Sequence, residues 1–215
     1  MPCYCAHDHA AARLFSRFAR CYRRRFARGH FEPVQRRLLD ALSELGLEGA
    51  ELLEIGSGVG ALHLHLLEQG VARAVGVDLS PKMIEEARSW AEERGLGERV
   101  DYRVGDYLVL ADEIAPVDIT VMDKVICCHP LGPELVATAL PHTRRALALS
   151  YPRISAITRM GARLVNGVMA LLRSEFRVYL HDPETIEAVA KHHGFLKRRE
   201  GTAGFWQFQL FVRGQ

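Results

Sequence analysis

The chain has 215 residues, of which 48% are hydrophobic and 25% are charged, with 18 glycines and 9 prolines. This composition is typical of one globular domain with its own core, and it excludes a fibrous, collagen-like or disordered chain. The formal net charge of +2 conceals an uneven distribution. Residues 1–37 hold nine arginines against Asp8 and Glu32, a charge of +7, which leaves −5 for residues 38–215.

The chain shows no targeting or membrane-spanning pattern. Its start has no basic stretch followed by an apolar run, so no secretory signal peptide is predicted and we expect a cytoplasmic protein. The most apolar late segment, Ile154–Leu172, contains Arg159, Arg163 and Asn166, whose cost in lipid argues against a membrane-spanning helix. The five cysteines are expected as free thiols in a reducing compartment. No feature predicts an oligomeric state.

Two N-terminal helices are predicted before the rest of the domain. Apolar side chains at helical spacing predict a helix over Ala10–Arg28, with arginines on another of its faces. A second helix is predicted from Pro33 to Gly46. We expect residues 1–47 to form a helical lid over the domain of residues 48–215.

Short apolar runs then alternate with helical segments, which is typical of a doubly wound α/β fold with a parallel sheet. The predicted strands are Glu51–Ile55, Ala72–Val77, Val100–Val104, Asp118–Met122, Ala146–Tyr151, Phe195–Arg199 and Phe205–Val212. Helices are predicted to follow the first strand to about Glu68 and to cover Pro81–Arg94, Pro133–Arg144 and Pro183–His193. The last two strands are so close in sequence that we expect them to pair antiparallel.

The strongest local signal is a buried strand that runs into the glycine-rich segment Gly56–Gly60 and then into a helix. Glycines permit a tight turn and let a ligand approach the backbone, and the helix N-terminus offers unpaired N–H groups. The pattern also satisfies the dinucleotide-binding fingerprint. However, Glu54 would repel a pyrophosphate, whereas it suits a cation such as the sulfonium and α-amino groups of S-adenosylmethionine.

Two further carboxylates stand at successive predicted strand ends. Asp78 comes 22 residues after Gly56, where a carboxylate can accept both ribose hydroxyls, and Leu79 would contact adenine. Asp106 would accept from the adenine amino group with Tyr107 closing the pocket, although aspartate is also a common turn residue. The predicted cofactor-binding set is Glu54, Gly56, Ser57, Gly58, Gly60, Asp78, Leu79, Met83, Asp106 and Tyr107.

The segments Glu54–Gly60, Val77–Pro81 and Val104–Asp106 together resemble the class I S-adenosylmethionine-dependent methyltransferases. The resemblance covers about residues 48–213. It implies a doubly wound, Rossmann-like α/β fold whose seven-stranded, mostly parallel sheet has an antiparallel last strand. It also implies that the strand-end carboxylates and the glycines carry S-adenosyl-L-methionine, and that the protein is a methyltransferase.

The second half of the chain bears on the methyl acceptor. The segment Met122–Pro130 replaces the Asn/Asp-Pro-Pro-aromatic loop that holds the target nitrogen in many amino-group methyltransferases, which disfavours adenine or glutamine nitrogen. Ala148–Arg153 and Phe176–His181 resemble the magnesium-protoporphyrin O-methyltransferases. This resemblance implies O-methylation of a carboxylate or hydroxyl of a small molecule. A histidine implicated in catalysis in that family corresponds to His129 here, shifted by one position.

Three side chains are candidates for catalysis. His129 leads, because an imidazole at the cleft can take a proton from a phenol or thiol, although it can equally be a loop histidine before proline. Tyr22 on the predicted lid is second, but it lies on the apolar stripe of its helix. His181 precedes an Asp-Pro helix start, so it can either meet the substrate or orient that turn.

The cysteines support an alternative in which a thiol or metalloid is methylated while bound to Cys127 and Cys128. Cys3, Cys5, His7 and His9 alternate along the chain and could join that pair in a soft-metal site. The spacing matches no common zinc pattern, so no metal is predicted. A non-catalytic nucleotide-binding module and a nicotinamide enzyme are the alternatives from other classes.

The arginine-rich face of the first helix allows three interpretations. It can be a solvated face of the lid, a site for an anionic substrate or acidic membrane surface, or a nucleic-acid contact. Because the basic charge is confined to one segment without an aromatic-studded recognition motif, nucleic acid ranks lowest. We therefore expect a small-molecule acceptor as the partner.

Overall fold

The computed structural model describes residues 6–214 and contains one seven-stranded sheet. The strands are β1 (Glu51–Ile55), β2 (Arg73–Asp78), β3 (Val100–Val104), β4 (Val117–Asp123), β5 (Thr143–Pro152), β6 (Phe195–Ala203) and β7 (Trp206–Arg213). Their order is β3-β2-β1-β4-β5-β7-β6. Strands β1 to β5 are parallel, whereas β7 pairs antiparallel with both β5 and β6. The predicted doubly wound sheet is confirmed.

Helices cover both faces of this sheet. Over residues 6–214 they are α1 (Ala6–Ser16), α2 (Ala19–Ala27), α3 (Pro33–Ser43), α4 (Ala61–Glu68), α5 (Pro81–Glu93), α6 (Tyr107–Leu110), α7 (Gly132–Ala139), α8 (Ala156–Leu171) and α9 (Pro183–His192). None of them combines the length and apolarity needed to cross a membrane.

The predicted helix over Ala10–Arg28 is two helices in the structure. Helix α1 ends at Ser16, whose hydroxyl is 2.7 Å from the Ser80 hydroxyl, and α2 begins three residues later. The break allows both helices to contact α5. Helix α7 is also shorter than the predicted Pro133–Arg144, because β5 already begins at Thr143.

Helix α8 occupies a segment for which the sequence pattern predicts no element. It begins with a capping box in which Ser155 Oγ accepts from the Thr158 N–H at 3.2 Å and Thr158 Oγ1 accepts from the Ser155 N–H at 2.9 Å. No side chain of α8 is buried. Met169 packs against a small cluster that includes Ala11, and the other large apolar residues of α8 are exposed.

Buried side chains alternate between the two faces of the sheet, as the two-residue period of a strand requires. Leu52 packs in a cluster that includes α3, α4 and α5, whereas Leu53 packs in a second cluster that includes α7 and α9. Leu38 and Leu42 of α3 are fully buried in the first cluster, together with residues that follow position 47. The division of the chain at residue 47 stays a prediction.

Candidate functional site

A cavity opens at the carboxyl ends of the parallel strands, next to the point where the strand order reverses between β1 and β4. It encloses about 1210 Å³ with its open mouth included. Ligands of open α/β sheets bind in this crevice. Its wall combines the glycine turn, the ends of β1, β2 and β4, and residues from α1 to α3.

Most of the predicted site residues lie on the wall of this cavity. They are Glu54, Gly56, Ser57, Gly58, Asp78, Leu79, Met83, Asp106 and Tyr107 from the predicted cofactor set, and Tyr22, Cys128 and His129 from the predicted acceptor set. Gly60, Cys127 and His181 do not line it. The sequence motifs therefore converge on one cavity, and their individual roles stay predictions.

The glycine turn after β1 requires glycine at two positions for different reasons. Gly56 has a φ of +67°, and a Cβ there would lie 2.2 Å from a methyl carbon of Val125. Gly60 has a φ of +83° and precedes α4, so it shapes the turn without reaching the cavity. A side chain at either position would strain the backbone.

Glu54 is a buried carboxylate that a hydrogen-bonded network fixes at the end of β1. One of its oxygens, Oε2, accepts from His63 Nδ1 at 2.6 Å and from the His63 backbone N–H at 3.2 Å. The other His63 nitrogen, Nε2, is 2.8 Å from the Tyr102 hydroxyl. Burial raises the pKa of Glu54, while the His63 hydrogen bond opposes that rise. Oε1 is left to accept from a ligand.

His63 is a partner of the Glu54 carboxylate that the sequence pattern does not reveal. It stands nine positions after Glu54, on α4, and its side chain is completely buried. A histidine on a predicted helix gives no sign of pairing with a carboxylate on the preceding strand. Only the position of α4 against β1 and β3 brings His63, Glu54 and Tyr102 together.

Asp78 at the end of β2 stabilises the glycine turn and still has acceptor capacity. Its Oδ2 accepts from the Gly58 N–H at 2.8 Å, and its Oδ1 accepts from the Ser80 N–H at 2.8 Å. Burial raises the pKa of Asp78 to about 6, against the opposing effect of these two backbone bonds. Each carboxylate oxygen has a further lone pair for hydroxyl donors.

Asp106 has the structural role that its turn-forming character suggests, and it also faces the cavity. Its Oδ1 accepts from the Leu108 N–H at 3.0 Å and caps α6. Burial raises the pKa of Asp106, and the nearby Asp8 of α1 contributes in the same direction. Its second oxygen is available to a donor in the cavity.

Two buried hydroxyls on the wall test whether a polar ligand fits. Within residues 6–214, Ser57 Oγ and Tyr107 Oη have no hydrogen-bond partner. Buried polar atoms are nearly always paired, so these two unpaired hydroxyls leave hydrogen-bonding capacity that a ligand bound beside them can use. Together with the free carboxylate oxygens, they fit the ribose, adenine and amino-acid groups of S-adenosylmethionine.

Aromatic side chains of the N-terminal helices form another part of the wall. They are Phe15 of α1 and Tyr22 and Phe26 of α2. The rings of Tyr22 and Phe26 stack with their centroids 6.2 Å apart. Burial raises the pKa of Tyr22, and Glu32 adds to this effect. Tyr22 is therefore a neutral hydroxyl on an otherwise apolar surface.

Three arginines of α2 contact carboxylates of the protein itself. Arg23 pairs with Glu93 and lies 4.3 Å above the Trp90 ring, while Arg20 is 3.6 Å from Glu86. Arg25 is 3.0 Å from Glu32 at the start of α3. Such exposed pairs contribute little stability individually, about 0–1 kcal/mol each. They orient α2 on the acidic domain, which is a use of the basic face that the sequence does not show.

A second carboxylate network stands at the end of β4. Asp123 Oδ2 accepts from Gln35 Nε2 at 2.6 Å, and Asp123 Oδ1 accepts from the Ser150 hydroxyl. Burial raises the pKa of Asp123, against the opposing effect of Lys124. Asp123 and Gln35 both line the cavity. The sequence motifs do not single out either residue.

Lys124 follows directly and has a strained backbone with a φ of 59°. Its ammonium group donates to Glu32 and lies 4.6 Å from the Trp206 ring centroid. Burial acts to raise the pKa of Glu32, but Lys124 and Arg25 hold it below its usual value. The lysine on the wall is thus already paired. Strain of this kind costs about 1–3 kcal/mol and concentrates at functional sites.

His129 lies on the wall in a defined tautomer. Its Nδ1 accepts from the Leu131 N–H at 3.1 Å, so the neutral ring carries its proton on Nε2. Burial lowers the pKa of His129, against the opposing effect of Asp106 and Asp8. In this arrangement the ring is a hydrogen-bond donor towards the cavity.

His181 lies behind the loop that carries His129. Its Nε2 is 2.7 Å from the Ile126 carbonyl oxygen and 3.1 Å from that of His129, to which it can donate. The His181 ring also packs against Gly132: a Cβ on that glycine would lie 2.5 Å from His181 Nε2. The position is that of a residue that orients the loop.

The two adjacent cysteines differ in accessibility. Cys128 lines the cavity, whereas Cys127 is buried and its Sγ is 3.8 Å from that of Cys128. The hydrogen bond with Cys128, together with burial, raises the pKa of the Cys127 thiol. Cys3 and Cys5 lie outside residues 6–214. Within that range, no three or more histidine, cysteine, aspartate or glutamate side chains are grouped to hold a metal.

The sequence matches a known family over its central part. The model of the methyltransferase domain family matches residues 52–149. The ribosomal protein L11 methyltransferase of Yersinia pseudotuberculosis serotype IB (strain PB1/+) is 34% identical over 120 residues, which are 55% of this chain and 39% of the relative. The chain thus matches about two fifths of the length of this relative.

Solved structures extend the comparison to most of the fold. Magnesium protoporphyrin IX methyltransferase from Synechocystis PCC 6803 with bound SAH, S-adenosylhomocysteine, superposes with a TM-score of 0.67 at 22% identity, covering 84% of this chain and 81% of that chain. An O-methyltransferase family 2 protein from Planctomyces limnophilus DSM 3776 in complex with apigenin gives 0.66 at 20% identity, covering 93% and 62%.

The fold by itself does not identify the methyl acceptor, because proteins named for porphyrin, sarcosine and RNA methylation share it. What the domain match, the strand order and the cavity establish together is the class. Residues 52–149 match the methyltransferase domain family, and the described chain shares its fold with class I S-adenosylmethionine-dependent methyltransferases.

Proposed function

We propose that the protein transfers a methyl group from S-adenosylmethionine to an oxygen of a small, largely apolar molecule, and that this oxygen belongs to a hydroxyl group. The observation that carries the proposal is the buried Asp123 network beside the aromatic wall of Phe15, Tyr22 and Phe26. Three other carboxylates on the cavity wall, Glu54, Asp78 and Asp106, match the cofactor motifs. Asp123 matches none of these motifs, so we assign it to the acceptor.

The charges on the wall favour a hydroxyl over a carboxylate. A carboxylate acceptor would place a negative charge near Asp123 and Glu32, and the cation on that side, Lys124, already pairs with Glu32. Two like charges 4 Å apart repel by about 4 kcal/mol at the effective dielectric of a protein site. A neutral hydroxyl avoids this repulsion and can donate a hydrogen bond to Asp123.

The residues of the chain perform three tasks in the proposed reaction. When bound, S-adenosylmethionine supplies a methyl group on a positively charged sulfur, which keeps the electrons of the broken carbon–sulfur bond. Phe15 and Phe26 exclude water, and Asp123 orients the acceptor hydroxyl through a hydrogen bond. As the oxygen–carbon bond forms, Asp123 accepts the hydroxyl proton. Its raised pKa makes it a stronger base than an exposed aspartate.

Transfer to a thiol is the second candidate, because Cys128 reaches the cavity wall. A metalloid held by a pair of thiolates would also need Cys127, which is buried and whose thiol has a raised pKa. The accessible arrangement is thus a single thiol. It supports binding of a thiol acceptor less well than Asp123 supports a hydroxyl.

A methyl-transfer screen tests the proposal directly. Labelled S-adenosylmethionine is incubated with the protein and with phenols, alicyclic alcohols, aromatic carboxylates, thiols and arsenite, and the products are identified by mass spectrometry. We expect methyl ethers from one of the hydroxyl compounds and none from the matched carboxylates. Methyl esters or methyl thioethers as the only products would contradict the proposal.

Asp123→Asn should lower kcat by about 10²-fold or more, the usual contribution of a general base, while S-adenosylhomocysteine affinity stays within about twofold. The asparagine keeps the size of the side chain and one acceptor oxygen, so a purely structural role would be largely preserved. With S-adenosylmethionine kept saturating, so that protonation of Asp78 does not contribute, the variant should also lose the acidic limb of the pH profile of kcat/KM for the acceptor.

His129→Ala is the matched comparison for this test. With His129 as a donor that positions the acceptor, KM should rise more than kcat falls. If His129→Ala loses the acidic limb while Asp123→Asn keeps it, His129 is the base and the assignment of Asp123 is wrong.

The affinity for S-adenosylhomocysteine should depend on pH through Asp78. Because the ribose hydroxyls donate to the ionised carboxylate, binding is favoured once Asp78 has lost its proton, and its pKa is about 6 in the free protein. The affinity should therefore be constant above that pH and fall by about tenfold per pH unit below it. Isothermal titration calorimetry across this range measures the effect.

Asp78→Asn should bind S-adenosylhomocysteine at least about tenfold more weakly above pH ~6. Below that pH, the slope of the logarithm of its affinity against pH should be smaller by one proton than in the unmodified protein. Asp101→Asn, on the exposed part of β3 outside the cavity, is the control and should match the unmodified protein. An unchanged slope in Asp78→Asn would show that another group controls the affinity.

A further inference from the structure

Helix α8 presents an apolar face that the rest of the described structure does not cover. Six large side chains lie on it, and Leu164 and Leu171 are 69% and 83% exposed. They are Ile157, Met160, Leu164, Val168 and Leu171 of α8 and its C-cap residue Leu172, and we call them the α8 apolar face. An exposed apolar surface of this kind marks a site of interaction with another molecule or a membrane.

The α8 apolar face is one continuous stripe. At about 100° per residue, its six side chains fall within a sector of about 120°. The partly buried residues of the helix, Thr158, Ala162, Asn166 and Met169, fall on the opposite side. Asn166 fixes this orientation, because its side chain donates to the Val178 carbonyl at 2.9 Å and accepts from the Val178 N–H at 2.7 Å.

Positive charge flanks the α8 apolar face without negative charge. Arg159 and Arg163 lie between the apolar sector and the buried side of the helix, and Arg153 and Arg173 stand beyond its two ends. Between Arg153 and Ser174 the sequence has no aspartate or glutamate. None of the four arginines forms an ion pair with a carboxylate of residues 6–214.

We propose that α8 is an interfacial membrane-docking helix that inserts its apolar face into the surface of a bilayer containing anionic lipids. An apolar face with arginines at its flank, on a helix too short and too charged to span, is the pattern of helices that lie in the plane of the interface. The arginine stems extend along the apolar boundary while their guanidinium groups reach the phosphates.

The charge distribution argues against a second copy of this chain as the occupant. A symmetric dimer through α8 would bring two rows of arginines together, and neither α8 contains a carboxylate to pair with them. An anionic lipid surface supplies the complementary charge along the entire helix. Lipid is therefore the occupant that fits both the apolar and the basic part of α8.

Docking through α8 also orients the cavity. Met169 on the inner side of α8 packs in one cluster with Ala11 of α1 and with Cys128, and both of these residues line the cavity. One part of the cavity wall thus lies close to the helix that contacts the bilayer. A largely apolar acceptor could enter from the membrane, although the docking itself does not depend on the proposed acceptor.

Co-sedimentation with vesicles tests the inference. The full chain with S-adenosylhomocysteine is mixed with vesicles of phosphatidylcholine and phosphatidylglycerol, or of phosphatidylcholine alone. We expect binding to the mixed vesicles that weakens with added salt, and at least about tenfold weaker binding to phosphatidylcholine alone. No binding to the mixed vesicles would overturn the proposal.

Two variants separate the apolar from the electrostatic contribution. Leu164→Ser with Leu171→Ser should weaken vesicle binding by at least about tenfold, and Arg159→Gln with Arg163→Gln by about fivefold for each arginine. Leu196→Ser on β6, where the leucine is 54% exposed, is the control and should bind like the unmodified chain. All variants should keep their affinity for S-adenosylhomocysteine, since the altered residues do not line the cavity.

Sedimentation velocity on the same proteins tests the other occupants. A dimer of the unmodified chain that the leucine variant dissolves would assign the α8 apolar face to self-association and overturn the membrane proposal. A leucine variant that binds mixed vesicles as well as the unmodified chain would overturn it too. A monomer that does not bind the mixed vesicles would overturn the membrane proposal as well, and a protein partner would then be the remaining occupant of the α8 apolar face.

Discussion

The buried hydrogen bond between Glu54 and His63 is the interaction on which the cofactor side of the cavity depends. A carboxylate without partners would cost several kcal/mol to bury, and removing one member of a buried pair typically destabilises a protein by about 3–5 kcal/mol. His63 offsets that cost and connects Glu54 to Tyr102 on β3. The network keeps one oxygen of Glu54 in a fixed position, ready for a cation.

In the proposed function, two similar carboxylate networks divide the cavity between the cofactor and the acceptor. At the ends of β1 and β2, Glu54 and Asp78 accept from the protein with part of their capacity, and we propose that the rest serves S-adenosylmethionine. At the end of β4, Asp123 does the same between Gln35 and Ser150. The segment that contributes Gln35, Phe15 and Tyr22 lines the same cavity, and in the proposed function it completes the acceptor side that the strands begin.

The fold and the convergence of the strand-end carboxylates on one cavity were predictable because local patterns encode them. Alternating strands and helices imply the sheet, and the carboxyl ends of parallel strands must meet, so Glu54, Asp78 and Asp106 converge. The partners His63 and Gln35 were not predictable, because each is defined by a contact between distant segments. Helix α8 differs from both: Ile157, Leu164 and Leu171 recur at helical spacing in the sequence, but only the structure shows that they face outward.

The most direct measurement is a comparison of two ligands in Glu54→Gln by calorimetry. S-adenosylhomocysteine carries the α-amino group that Glu54 is expected to bind, whereas 5′-methylthioadenosine has the same nucleoside without it. The account predicts at least about tenfold weaker binding of S-adenosylhomocysteine, the value of a lost charged hydrogen bond, and unchanged binding of 5′-methylthioadenosine. Equal affinities of the variant and the unmodified protein for S-adenosylhomocysteine would contradict it.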